Sequence, residues 1–340
     1  MIDFQRIRAL FEPKPVGHLK SSSIIKRHHD NPLLTHRDVP YPSALVFNPG
    51  VCKWKGKYVM VFRNDYGSFE EQRLEGTNLG LAYSEDGVKW KVEPRPISLK
   101  LEGEDFIRIY DPRLNLIEDK LYITFAVDTW HGIRAGIATT EDFEHFELIH
   151  LSTPDNRNVV LFPEKIAGMY ARLERPFPVY GRLGLERFDI WISFSPDLKY
   201  WGESQLLLGV ENVPFANLKI GPGAPPIKTD VGWLVIFHAV DTDPSRGKNG
   251  WEERWTKRYT AGIMLLDLKN PSKILGIHKH PLIVPEEEYE TKNGYRNNVV
   301  FPTAAILEGE EVKIYYGAAD TSICLATAKI QDLIDLCLNG

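Results

Sequence analysis

Apolar residues along this chain fall in short runs rich in Val, Ile, Tyr, Phe and Trp, cut at close intervals by 26 glycines and 23 prolines. Runs of that length between turn residues predict strands rather than helices. One stretch differs. From Ile330 to Leu338 the apolar positions recur at steps of three and four, which predicts a short C-terminal helix.

The strand-like segments repeat as a unit: an apolar strand, a turn carrying Asp, Gly or Glu, a strand bearing Trp or Tyr, and a further strand ending in a small turn. Copies open at Asn48-Pro49-Gly50, Tyr110-Asp111-Pro112, Asn158-Val159-Val160, Gly221-Pro222-Gly223 and Asn298-Val299-Val300. The openings lie roughly 50 to 75 residues apart, room for about four short strands each, which is the content of one propeller blade. The turns Ser84-Glu85-Asp86-Gly87, Thr140-Glu141-Asp142-Phe143 and Ser195-Pro196-Asp197-Leu198 each precede an aromatic residue at matching distance, which favours a repeat over a β-sandwich with unrelated turns. The expected fold is therefore all-β, a five-bladed β-propeller over residues 41–330. An N-terminal extension, residues 1–40, should pack on the propeller or on a partner subunit in a homo-oligomer. A short C-terminal helix covers 331–340.

Composition narrows the function classes. A chain of 340 residues, 43% hydrophobic and 26% charged, can bury a full core without staples. Its formal net charge of -5 argues against a nucleic-acid or anionic-membrane partner, which would need a broad basic surface. No apolar run is long enough to span a bilayer, and the mixed N-terminus shows no secretory signal, so a cytoplasmic protein is expected. Cys52, Cys324 and Cys337 are odd in number and lack CxxC spacing, and the histidines show no HExxH pattern. Neither disulfides nor a metal are expected.

In a propeller the first strands of the blades line the axis, so polar residues at blade openings converge although they are distant in sequence. Reading those positions gives Asn48, Arg63, Asp65, Asp111, Arg113, Arg157, Asn158, Arg175, Lys219, His238 and Asp320. Asp111 precedes a proline, which restricts its backbone and turns its carboxylate from the ladder; an ordinary turn residue is the competing account. Asp320 follows Gly317-Ala318-Ala319, small residues that leave space for a ligand. Arg157, Arg175 and Lys219 lie in apolar surroundings, where an unpaired cation is costly unless an anion meets it. For each, the alternative is a structural ion pair with Glu164, Glu174 or Glu211. With His238 they suggest an oxyanion site.

These segments resemble glycoside hydrolase family 130, the β-mannoside phosphorylases and related mannosidases. The resemblance runs from Asn31-Pro32-Leu33 to Ala319-Asp320-Thr321. It is carried by Val46-Phe47-Asn48-Pro49, Phe62-Arg63-Asn64, Tyr110-Asp111-Pro112-Arg113, Asn156-Arg157-Asn158, Gly221-Pro222-Gly223 and Tyr316-Gly317-Ala318-Ala319-Asp320. The resemblance implies Asp111 as catalytic acid, and Arg157, Lys219 and His238 on phosphate with Arg175 and Asn158 beside them. Asn48, Arg63, Asp65, Tyr110, Arg113 and Asp320 would lie in the mannosyl subsite.

Phosphate is an anion near neutral pH and needs no general base, unlike the water of an inverting hydrolase; it needs cations to hold and aim it. The expected reaction is inverting phosphorolysis of a β-1,4-mannoside, mannosyl-N-acetylglucosamine or a manno-oligosaccharide, to α-mannose 1-phosphate. Inorganic phosphate is the co-substrate and no cofactor is required. The resemblance implies that Asp111 acts through the mannosyl O3 hydroxyl. Trp130, His131 and the stretch Trp251 to Tyr259 are candidates for shaping an acceptor site. A β-mannoside hydrolase and a non-catalytic sugar-binding propeller are the rival readings.

Overall fold

The structure, a computed structural model, describes residues 16–99, 106–178, 187–252 and 255–340. Five antiparallel sheets follow one another along the chain as the five blades of a propeller. Blade 1 runs Leu45–Trp54, Lys57–Ser68, Arg73–Ser84 and Lys91–Val92 from axis to rim. Blade 2 is Phe106–Ile117, Lys120–Thr129, Gly132–Thr139 and Glu147–Leu151. Blade 3 is Asn156–Leu161, Tyr170–Pro176, Ile190–Ser195 and Gly202–Leu208. In blade 4 the inner strand is split into Lys219–Pro222 and Ile227–Lys228, followed by Trp233–Thr242, Lys257–Leu266 and Ile274–Ile277.

Blade 5 takes three strands from the C-terminal part, Val300–Glu308, Glu311–Ala318 and Ser322–Lys329, and its outermost strand, Lys26–Arg27, from near the N-terminus. The N-terminal segment is thus stitched into the ring. Arg27 strengthens that seam: its guanidinium donates to both oxygens of the fully buried Glu290, at 2.8 and 2.9 Å. Residues 1–15 of the expected extension lie outside the described residues. Helix Ile330–Asn339 covers the outer part of blades 4 and 5 with Leu333, Ile334 and Cys337, the three- and four-step face seen in the sequence.

The middle strands are buried on both faces: Val235, Ile236 and Phe237 in blade 4 are each at most 1% exposed. A blade is clamped between its neighbours, so these strands read as continuous apolar runs, as doubly covered strands do. The repeating turns are Asx turns. Asp86, Asp142 and Asp197 each accept backbone N–H groups two and three residues ahead, at 2.8–2.9 Å. Asp267 makes the same turn in blade 4.

The inner strands carry the device that builds the site. Pairing slips between Phe47 and Gly50, between Tyr110 and Arg113, and between Arg157 and Val160. At these bulges Asn48, Asp111 and Asn158 have φ of 51°, 53° and 58°. Among non-glycine residues, Asn and Asp enter the left-handed region at least cost, and a bulge re-aims a side chain out of the ladder. Three short polar side chains are thereby turned toward the axis.

Candidate active site

A cavity of about 240 Å³ opens on the axis where these bulges meet. Of the residues expected in the site, Asn48, Arg63, Tyr110, Asp111, Arg157, Asn158, Arg175, Lys219 and Asp320 line it. Asp65, Arg113 and His238 stand one layer behind. Asp65 grips Arg63 through two hydrogen bonds of 2.9 and 2.7 Å and accepts a third from Thr77. Arg113 donates from Nη1 to the Asp111 carbonyl at 2.7 Å and from Nε to the Gly223 carbonyl at 3.1 Å, tying blade 2 to blade 4. His238 is 0% exposed, with Nδ1 3.2 Å from the Pro222 carbonyl and Nε2 3.3 Å from Arg175 Nη1. A carbonyl only accepts and a guanidinium only donates, so the ring is neutral, protonated on Nδ1, and presents Nε2 to Arg175. Burial, Arg175, Lys219, Arg113 and Arg157 all lower its pKa well below the ordinary value, in agreement.

Asp111 sits at the meeting point of blades 1 and 2. Asn48 Nδ2 donates to its Oδ1 at 2.9 Å, and Arg63 Nη1 is 3.6 Å from the same oxygen. Burial pushes the carboxyl up, but Arg63, Arg113, the Asn48 hydrogen bond and Arg157 outweigh it and hold it below the usual range. Asp320, from blade 5 with φ 48°, is pushed the other way: burial raises it more than Arg296 and Arg63 lower it, and Asp111 adds to the rise. Arg296 Nη1 is 3.3 Å from its Oδ2.

The opposite side of the cavity belongs to blades 3 and 4 and is cationic. Arg157 and Arg175 face each other across a strand pair, and Lys219 Nζ lies 5.2 Å from the centre of the Tyr259 ring. None of the three has a carboxylate partner among the described residues. Glu174 pairs with Arg172, Glu164 with Lys228 and Glu211 with Arg187, so the structural ion pairs weighed as the alternative are not made. Arg157 reaches only the Tyr110 hydroxyl, at 3.4 Å, and the Nε atoms of Arg157 and Arg175 are buried with no partner among the described residues. Burial and the cations Arg175, Arg157, Lys257 and Arg296 drive the Lys219 amine well below its ordinary pKa. Burial and Arg157 likewise lower Arg175.

Sequence reading missed Arg108, Trp255, Lys257, Tyr259, Tyr295, Arg296 and Phe301 as individual wall residues. Two had a usable signal. Arg108 shares a strand face with Tyr110 by alternation, and Phe301 precedes a proline at a blade opening as Tyr110 precedes Asp111-Pro112. Trp255, Lys257 and Tyr259 do fall within the stretch expected at the acceptor side, whose Glu253 and Arg254 lie outside the described residues. Trp130, 77% exposed at a blade 2 hairpin tip, and His131 do not line the cavity.

A five-bladed propeller with two buried carboxylates facing a cluster of cations across its axis has the build of a carbohydrate-active propeller protein. The chain belongs to glycoside hydrolase family 130: the family profile, described as beta-1,4-mannooligosaccharide phosphorylase, matches residues 24–339. It is 30% identical to a beta-1,2-mannobiose phosphorylase of Listeria innocua, over 91% of this chain and 97% of that one. It is 32% identical to a beta-1,4-mannooligosaccharide phosphorylase of Ruminococcus albus, over 92% and 90%. The solved structure of the Listeria innocua enzyme in complex with beta-1,2-mannobiose superposes with a TM-score of 0.78 at 28% identity, covering 93% of this chain and 99% of that one.

Proposed function

We propose that this protein cleaves β-linked mannosides by inverting phosphorolysis, yielding α-mannose 1-phosphate and a shortened acceptor. The observation that carries the reading is the three cations Arg157, half-buried, and Arg175 and Lys219, both buried, which lack carboxylate partners among the described residues on the side of the cavity away from Asp111 and Asp320. Phosphate would be held by Arg157, Arg175, Lys219 and Asn158, with the neutral His238 acting as a positioning residue that fixes Arg175. Arg63, Asn48 and Asp320 would bind the mannosyl hydroxyls, with Asp65 and Arg113 bracing Arg63 and Asp111 from behind.

One phosphate oxygen forms a bond to the anomeric carbon as the glycosidic C–O bond breaks on the opposite face, and the electron pair leaves with the acceptor oxygen. Asp111 relays the proton that this oxygen needs, directly or through the sugar O3 hydroxyl: bound phosphate offsets the cations that hold its carboxyl low in the empty cavity, so the carboxyl takes up the proton that hydrogen phosphate gives up and passes it on. A hydrolase would need a carboxylate on the cation side to take a proton from water. Both carboxylates lining the cavity instead cluster around Arg63.

The leading substrate is a β-1,4-linked mannoside, following the family description. A β-1,2 linkage is the second reading, favoured by the likeness to the Listeria innocua enzyme. Proton NMR of the reaction with phosphate tests both: the first mannosyl product should be the α-anomer of mannose 1-phosphate, and the ratio of kcat/KM for β-1,4- and β-1,2-mannobiose ranks the linkages. A first-formed β-phosphate would overturn the inverting assignment.

The same site carries a proton linkage. Lys219 is depressed by burial and neighbouring cations, so its amine gives up its proton at a lower pH than usual in the empty cavity, and a bound dianion draws that pKa back up. Calorimetric titration with phosphate at a series of pH values below the ordinary lysine range, each in two buffers of different ionisation enthalpy, should show proton uptake. Lys219→Met should abolish most of it, whereas buffer-independent enthalpy in the wild type would mean that the amine is already charged in the empty cavity.

A further inference from the structure

An aromatic chain leads out of the cavity. Tyr295 lines the cavity wall, Trp251 packs against it at 5.6 Å and 82°, Phe69 against Trp251 at 5.3 Å, and His36 stacks on Phe69 at 4.8 Å and 15°. Beside this chain lies a trough of about 540 Å³ lined by Phe69, Trp251, Arg37, Glu70, Gln72 and Asn293 among others. A further recess of about 210 Å³ shares Arg37, Phe69 and Asn293 with it and adds His36. Aromatic rings alternate there with a guanidinium, a carboxylate and amides. The Arg37, Gln72 and Asn293 side chains make no hydrogen bond among the described residues, which leaves them available to hydroxyls. Rings that stack with sugar faces, bordered by directional polar groups, suit carbohydrate better than an apolar peptide.

The position of the trough follows the geometry of displacement. Phosphate approaches from the blades 3 and 4 side, so the leaving sugar departs on the opposite side, toward blades 5 and 1. Phe69 sits on the hairpin between strands Lys57–Ser68 and Arg73–Ser84 of blade 1. Asn293 precedes blade 5, and Arg37 lies in the single turn His36–Asp38. We infer that this trough holds the sugars beyond the first residue of the leaving chain, making the substrate an oligosaccharide of three or more units rather than a disaccharide. The inference rests on the phosphorolysis reading for its direction and extends it to substrate length.

The test compares kcat/KM for a mannobiose and the matching mannotetraose, in whichever linkage series the wild type accepts, for wild type, Phe69→Ala, Phe69→Tyr and the exposed-site variant Arg37→Ala. Wild type should favour the tetraose by roughly tenfold, the effect of one well-packed ring. Phe69→Ala should bring the ratio close to one with mannobiose turnover within about twofold, Phe69→Tyr should keep the preference, and Arg37→Ala should reduce it. The ratio within each protein cancels differences in folded fraction. An unchanged ratio in both Phe69→Ala and Arg37→Ala, or a wild type indifferent to length, overturns the inference. Calorimetric binding of mannotetraose without phosphate separates the two claims. If no substrate turns over, the phosphorolysis reading fails, while tetraose binding lost in Phe69→Ala still supports the trough and equal binding rejects it.

Discussion

Asp111→Asn should lower phosphorolysis by about 10²- to 10⁴-fold, the range expected when a positioned proton donor is removed, while leaving the fold and phosphate binding in place. The substitution is nearly silent for the backbone. Asp111 has φ 53° at an inner-strand bulge, and Asn occupies the matching left-handed positions of blades 1 and 3 as Asn48 and Asn158. The amide fits the same cradle between Asn48 and Arg63 but has no proton of carboxylic acidity to give. It also removes a negative charge from a cavity rich in cations, so phosphate should bind as tightly or more tightly. Rates of mannose 1-phosphate release, with phosphate affinity by calorimetry, check both halves. Retention of more than about a tenth of the wild-type rate would place the acid elsewhere.

Lys219→Met should have the second large effect, and in opposite directions for activity and stability. Lys219 is 8% exposed among like charges, and its folded-state pKa lies well below the ordinary value because of burial first and Arg175 and Arg157 next. The unfolded chain holds the proton more strongly, so at neutral pH the folded state is penalised, and the penalty fades as pH rises toward the unfolded value. Methionine keeps much of the apolar stem and removes the charge. Without phosphate the variant should melt higher than wild type, by about 1–2 °C for each kcal/mol relieved. Phosphate at a hundred times its Kd should stabilise the wild type by about 2.7 kcal/mol, and the variant should lose most of that gain together with about 10²- to 10³-fold in activity. Scanning calorimetry with and without phosphate measures this. A variant that melts lower yet keeps the full phosphate shift would show that the amine is a structural partner and not part of an anion site.

The contrast between these residues explains what could be read from the sequence. Repetition made the blades legible: each of the first four spends an aspartate on the same Asx turn and its apolar residues on doubly buried strands, so turns such as Thr140-Glu141-Asp142-Phe143 mark the period directly. The blade openings exposed Asn48, Asp111 and Asn158 for a related reason, since a bulge at the axis favours short side chains that tolerate a left-handed backbone. Depth was less legible. Asp65, Arg113 and His238 share the composition and strand position of true wall residues, yet each is turned to hold a wall group from behind, a distinction made by side-chain direction and cross-blade contacts. Arg296 and Tyr295 escaped because they lie outside regular strands, on a segment fixed by long-range contacts such as the 3.0 Å bond from the Arg296 amide to the Ala319 carbonyl.

The fifth blade shows the same limit. Its outer strand, Lys26–Arg27, comes from a segment with no trace of the repeat, and pairs with Ala326 and Thr327 near the other end of the chain. Local pattern cannot reveal a partner some 300 residues away, a separation that only the closing of the ring brings within hydrogen-bonding reach.

The central claim is that the cluster of Arg157, Arg175 and Lys219 presents phosphate to a mannoside across the cavity from Asp111. Its most direct measurement is the partition of products from β-1,4-mannobiose and β-1,2-mannobiose incubated with enzyme in phosphate and in a phosphate-free buffer. The account predicts mannose 1-phosphate in the first case, with one acceptor mannose per phosphate ester, and negligible cleavage in the second. Mannose released at the same rate in both, with no phosphate ester formed, would contradict it and mark the protein as a hydrolase.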